Sequence, residues 1–187
     1  TRADAYEIAE ALSEQISEGE IDVEAKGREI IIRIREKGSF KSASSELADG
    51  FYDVLEEIRA VLAVKIGKVQ VQGHTDNIPI NTARYRSNWE LSSSRAVSVA
   101  HELMRGDEIN DRRFEIAGYS DTKPLVANDS SANRAKNRRV EIVIRQGLDN
   151  ELSQEDINLL QNEGQDILRE LDLDPDYLFN LNPEEIF

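Results

Sequence analysis

"KVQVQGHTDNIPINTARYRSNWELSSSRAVSVAHEL", residues 68–103, sets out a strand, a loop and a helix in one sweep. Val69 and Val71 alternate with Gln70 and Gln72, the period of a strand with one face on a core. From residue 84 to 104, Leu91, Ala96, Val99, Ala100 and Leu103 recur at helical spacing and predict the longest helix of the chain. "RRFEIAGYS" supplies a second strand directly afterwards, so the unit reads as a βαβ crossover. The first strand, "KVQVQGH", runs over 68–74, and His74, Thr75 and Asp76 stand at its exit, where rigid scaffolds present their working groups.

Working outward, residues 2–18 carry Tyr6, Ile8, Ala9, Leu12 and Ile16 near helical spacing, with Gly19 as the stop. Ile30, Ile32 and Ile34 alternate with Ile31, Arg33 and Arg35 after Lys26-Gly27, which predicts a hairpin. Residues 46–63 present Leu47, Phe51, Val54, Leu55, Ile58 and Leu62 on one helical face, and the hydroxyls of "SFKSASS" before them offer an N-cap. A loop over 121–137 with one helical turn leads to "RRVEIVIRQ", where Val140, Ile142 and Ile144 alternate. The expected architecture is α+β: a mixed β-sheet with βαβ crossovers, helices packed on one face, and helical extensions at both termini. The expected divisions are 1–27 as an N-terminal helix and lead-in strand, 28–147 as the main domain, and 148–187 as an acidic extension.

The 187 residues suffice for one domain with a full core plus appendages. No run approaches the roughly 18 apolar residues of a membrane span, the start has no leader pattern, and the chain reads as a fragment of a longer protein. With no cysteine, disulfides, thiolate nucleophiles and the usual structural zinc sites are excluded. Of the net charge of −14, −11 falls on residues 148–187, where twelve acidic residues face Arg169, leaving −3 on residues 1–147. Neither part has the basic stripe that nucleic-acid binding needs, so no nucleic acid is expected as a partner. The extension has enough apolar residues, Ile157, Leu160, Ile167, Leu168 and Leu171, to form a helix pair or to remain a solvated tail. Asp172, Asp174 and Asp176 mimic the start of an EF-hand, but Tyr177 and Pro183 stand where that loop needs glycine and glutamate.

Asn88, Leu91 and Arg95 share one stripe of the long helix, and Asn133, Arg134, Asn137, Arg138 and Arg139 cluster at the entry to the last strand. A crossover turns Asp76 toward the first half of the helix, pairing a fixed negative charge with a fixed positive one. Such a pocket suits a zwitterion: a carboxylate takes an ammonium, and a guanidinium grips a carboxylate through parallel hydrogen bonds. Competing explanations stand beside this. In these, Asp76 caps a turn in the way loop aspartates do, Arg95 pairs with Glu90 or Glu102, and the arginines form a solvated basic edge. Trp89 reads as core or helix-packing surface. No metal site is expected, because His101, the only histidine besides His74, lies on another element. No catalytic set is evident either, and no cofactor is expected.

"GHTD", "NWELSSSRAVSV" and "NRAKNRRVEI" together resemble the OmpA-like peptidoglycan-binding domain over roughly residues 28–146, in a form similar to the MotB/PomB stator B subunits of the bacterial flagellar motor, with the acidic extension closer to PomB. The resemblance implies a non-catalytic periplasmic domain that anchors the stator to the cell wall by recognising the zwitterionic diaminopimelate of the stem peptide. By position, Asp76 would receive the ammonium and Arg95 the carboxylate. Thr75, Asn88 and Leu91 would shape the pocket, Asn137 and Arg138 would border it, and Phe40 would contribute a wall. The partners implied are peptidoglycan, a second copy of the domain, and the stator A subunit through a transmembrane part of an inner-membrane protein. The alternatives are an envelope anchor of the OmpA or Pal type and a metal-assisted cell-wall amidase.

Overall fold

A computed structural model describes residues 1–147 together with residues 162 and 163; the alternatives for the acidic extension lie outside the described residues. Residues Thr1–Arg145 form one unit. Its elements are α1 (Arg2–Ala11), α2 (Ser13–Ser17), β1 (Ile21–Lys26), β2 (Glu29–Arg35), α3 (Phe51–Val64), β3 (Lys68–His74), α4 (Asn88–Met104), β4 (Phe114–Gly118), α5 (Ser131–Asn137) and β5 (Arg139–Arg145). None of the helices described is long and apolar enough to cross a membrane.

The five strands lie in the order β1-β2-β5-β3-β4. Only β3 and β4 pair in parallel, and α4 makes the crossover between them. Both β2 and β3 run antiparallel to β5, so the last strand of the domain inserts between two strands that are parallel to each other. The mixed sheet and the crossover match the sequence expectation. Insertion of β5 at the centre depends on long-range pairing that local periodicity does not report.

One face of the sheet presents Ile30, Ile32, Ile34, Val69, Val71, Val140, Ile142 and Ile144, all buried. Ile8 and Leu12, Phe51, Leu55, Ile58 and Leu62, and Ala96, Val99 and Leu103 close over it. Burial of each large aliphatic side chain is worth about 1.5–3 kcal/mol. Because Ile8, Leu12 and Ile21 belong to this same cluster, the boundary anticipated at residue 27 runs through a single core.

Two glycines set how close α4 lies to the sheet. A β-carbon at Gly73 would overlap the Ser92 carbonyl, and one at Gly118 would overlap Ser93. Helix and sheet therefore meet backbone to backbone at β3 and β4.

Several boundaries differ from the sequence expectation. The first helix bends at Leu12, yet the bonds Leu12 N–H to Ile8 (3.0 Å) and Ile16 N–H to Leu12 (3.0 Å) continue through the bend. The helix expected from residue 46 starts at Phe51, because residues 40–47 close a small hairpin: Phe40 bridges Leu47, and Lys41 N–H donates to the Glu46 carbonyl at 3.0 Å. Three of the four hydroxyls expected to cap α3 are engaged elsewhere. Ser39 donates to the Arg35 carbonyl, Ser44 accepts from Glu46 N–H, and Ser45 pairs with the Tyr85 hydroxyl. Helix α4 starts at Asn88 rather than residue 84, since Tyr85 is buried and held in a turn by Thr82. The helical stretch in the 121–137 loop is the two-turn α5, capped by Ser130 Oγ accepting from Asn133 N–H at 3.1 Å.

Candidate functional site

Three strand ends meet at one edge of the sheet. The registers Arg35↔Arg139 and His74↔Arg139 place the ends of β2 and β3 on either side of the start of β5. Glu36, Asp76 and Arg138 thus emerge side by side, although they are far apart in sequence. Side chains on a strand alternate in direction, so Arg138 and Arg139 have different fates. Arg139 is buried, its Nε 2.7 Å from Glu141 and its other nitrogens on the carbonyls of Asn137 and Lys123. Arg138, about a third exposed, turns to Asp76.

The charges form a row. Asp76 Oδ2 accepts from Arg138 Nη1 at 2.7 Å, Arg138 Nε lies 3.4 Å from Glu36 Oε1, and Glu36 Oε2 accepts from Arg95 Nη1 at 2.5 Å. Asp76 and Arg95 therefore belong to one constellation but do not face each other directly, as the crossover argument expected; Arg138 and Glu36 stand between them. Two positive and two negative groups alternate, which makes the row neutral.

Each member is held from behind. Asp76 Oδ1 accepts from Ile78 N–H at 2.9 Å, the turn-capping bond that loop aspartates favour. Arg95, only 2 % exposed, donates Nε to the Ser44 carbonyl at 2.8 Å and lies over the Phe40 ring at 5.0 Å, a cation–π contact. Glu90 and Glu102, the alternative partners for Arg95, are engaged by Arg86 and Arg105. Phe40, the expected wall, is thus the platform beneath Arg95.

Thr75 is buried, with its N–H on the Ser120 carbonyl at 2.9 Å and its hydroxyl on the Asp76 carbonyl at 2.9 Å. Asn88 donates to the Ile78 carbonyl at 2.9 Å and so ties the loop after Asp76 to the start of α4. Leu91 is buried but lies outside the main core cluster, under the first turn of α4. Asn137 departs from its expected place at the border of the pocket. It is fully buried, accepting from Leu125 N–H and Val126 N–H while donating to the Val126 carbonyl and to Asn128. Its amide is spent on shaping the loop before α5.

His74 belongs to the opposite face of the sheet. Its ring stacks on Tyr119 with centroids 5.3 Å apart, and Lys123 lies over the other aromatic ring at 3.9 Å. Burial first, and then the neighbouring Arg139 charge, lower its pKa to about 4, so the ring is neutral at pH 7. Among the described residues no group of three or more His, Asp or Glu is placed to hold a metal. Trp89, expected in a packed position, is half exposed.

Glu36 is the member that the sequence did not disclose. "REKGS" reads as an ordinary charged turn, and only the register of β2 against β5 brings residue 36 to Arg138.

Residues 39–138 match the model of the OmpA family. The chain belongs to the OmpA family. The matched span begins beside Phe40 and ends at Arg138, and so encloses every charged member of the row except Glu36. Motility protein B of Bacillus subtilis is 27 % identical to this OmpA-family chain over 139 residues, 74 % of the chain and 53 % of that protein. The solved cell wall anchor of the T6SS from Pseudomonas aeruginosa is 39 % identical with a TM-score of 0.70, covering 75 % of this chain and 97 % of that one. The periplasmic domain of Helicobacter pylori MotB is 27 % identical with a TM-score of 0.61, covering 76 % of this chain and 88 % of that one. The chain spans about half the length of the curated relatives it matches first.

Proposed function

We propose that this OmpA-family domain is a non-catalytic periplasmic anchor that binds peptidoglycan and ties a flagellar-motor stator to the cell wall. The observation that carries the reading is the neutral row Asp76–Arg138–Glu36–Arg95 at the sheet edge, in a chain similar to Motility protein B and to a named cell wall anchor. The ligand of the row is the zwitterionic end of diaminopimelate in the stem peptide. Its ammonium goes to the Asp76 carboxylate and its carboxylate to the Arg95 guanidinium. Thr75 and Asn88 fix the loop that carries Asp76, Leu91 and Phe40 support the floor, and Arg138 borders the ammonium end. Asn137 acts from beneath by holding the loop at residues 125–128. Only binding is required of these groups, since an anchor has to resist force rather than turn over substrate. The partners in this reading are peptidoglycan, a second copy of the domain, and the stator A subunit of the inner membrane.

The higher identity to the T6SS anchor than to the H. pylori domain supports a second reading, in which the same wall contact serves a different envelope assembly. Motility separates the two. Cells carrying Asp76→Ala should assemble flagella but fail to swim if the assembly is a stator, and should swim normally if it is not.

Co-sedimentation with purified sacculi tests the wall contact itself. Wild type should pellet, whereas Asp76→Ala and Arg95→Ala, with native circular dichroism, should remain in the supernatant. Equal pelleting of all three would reject the row as the receptor. Release of soluble wall fragments, stopped by a chelator, would replace the anchor by an amidase.

A further inference from the structure

Glu36 satisfies its two arginines incompletely. On Arg95 it takes Nη1 alone; Arg95 Nη2 is buried and has no hydrogen-bond partner among the described residues. On Arg138 its Oε1 stands 3.4 Å from Nε, close enough for an ion pair, yet that Nε too is buried and makes no hydrogen bond. A carboxylate laid across a guanidinium in the fork geometry serves two donors at once, so the contact in place is poorer than the one Arg95 can make.

The approach to Arg95 is also restricted. The Arg95 side chain is 3 % exposed, its Nε is committed to Ser44, and one face of its plane is against Phe40. The Glu36 side chain, 20 % exposed, holds Nη1 of the guanidinium and keeps part of its own surface in solvent. Its backbone is fixed: Glu36 N–H donates to the Arg138 carbonyl at 3.1 Å, and its own carbonyl accepts from Ser39 and Phe40. With its backbone held, the Glu36 side chain is the movable group on Arg95 Nη1.

We propose that Glu36 sets the affinity and specificity of the site by occupying, on Arg95, the place of the ligand's carboxylate, so that a ligand binds by displacing it. This rests on the row being the receptor for a zwitterion. The Glu36 carboxylate repels any incoming anion that offers nothing further. A zwitterion carries an ammonium for Asp76 as well as a carboxylate for Arg95, and so adds no net charge to the row. A simple carboxylate does not, which makes Glu36 a filter against anions that lack the ammonium.

Binding of purified sacculi with diaminopimelate stem peptides, measured by co-sedimentation over a range of sacculus concentrations, tests this directly. Glu36→Gln removes the competing charge and should tighten binding about tenfold, the scale of one charge-assisted hydrogen bond recovered at Arg95. Glu36→Asp, shorter by one methylene, should fall between this variant and wild type. Glu115→Gln, an equal change in net charge on the exposed part of β4, should bind as wild type does. Unchanged or weaker binding by a natively folded Glu36→Gln would overturn the proposal. If that variant fails to fold, unchanged or weaker binding by Glu36→Asp would do so. Should Asp76→Ala and Arg95→Ala lose binding while the Glu36 variants gain none, the receptor stands and the role of Glu36 falls. Should all variants pellet like wild type, both fall together.

Discussion

Acidification from pH 7 to 5 should weaken the domain through His74. In the fold its pKa is about 4, against 6.5 for the unperturbed side chain, because burial and then the Arg139 charge oppose protonation; Lys123 and Arg33 add to this, and Glu141 opposes it. A depressed folded-state pKa means that the unfolded chain binds the proton more readily. The stability involved is therefore full above about pH 6.5 and is lost as pH falls toward 4. Over the whole window the 2.5-unit difference amounts to about 3 kcal/mol, and between pH 7 and 5 to about 2 kcal/mol. With a urea m-value of roughly 2 kcal/mol/M, the unfolding midpoint should drop by about 1 M. The assay is urea unfolding at both pH values for wild type and His74→Phe, which keeps an aromatic ring against Tyr119 but does not titrate. Glu141 does not confuse the comparison. Burial alone raises its pKa, but pairing with Arg139 holds it below the usual 4.5, so its contribution is lost at lower pH. An equal loss of stability in wild type and His74→Phe would refute the reasoning.

Other substitutions probe the scaffold under the site. Gly73→Ala drives a β-carbon into the Ser92 backbone, which cannot rotate away; a loss of at least about 2 kcal/mol in urea unfolding is expected. Asn137→Ala strands the N–H groups of Leu125 and Val126, and the same assay should show a loss of about 2 kcal/mol or more. Trp89 is the only tryptophan and is half exposed, so its fluorescence in the folded protein should be quenched readily by iodide.

Much of the fold was legible because it is written in local periodicity. Strand β3 was delimited residue for residue by the Val69/Val71 alternation, and the inward face of α4 by Ala96, Val99, Ala100 and Leu103. The helix starts were less legible. Leu47 and Tyr85 stand four residues before Phe51 and Trp89 and so extend the helical spacing, yet Leu47 bridges Phe40 in a small hairpin and the buried Tyr85 has its hydroxyl on Ser45, contacts that override the local preference. In the candidate site, Asp76, Arg95, Arg138 and Phe40 were indicated by position and are now seen to touch one another or a common neighbour. Glu36 was not, since its role depends on β5 inserting between β2 and β3, a pairing across more than a hundred residues. For Asn137 residue type was misleading: a buried amide holding a loop looks, in sequence, like one facing a ligand.

The most direct measurement compares two purified muropeptides that differ at one residue of the stem, diaminopimelate in the first and lysine in the second. Lysine keeps the ammonium for Asp76 but brings no carboxylate to Arg95. Calorimetric titration of the wild-type domain should show the lysine form binding about tenfold or more weakly, the cost of one lost charge-assisted contact. Equal affinity for the two would contradict recognition of a zwitterion at this sheet edge.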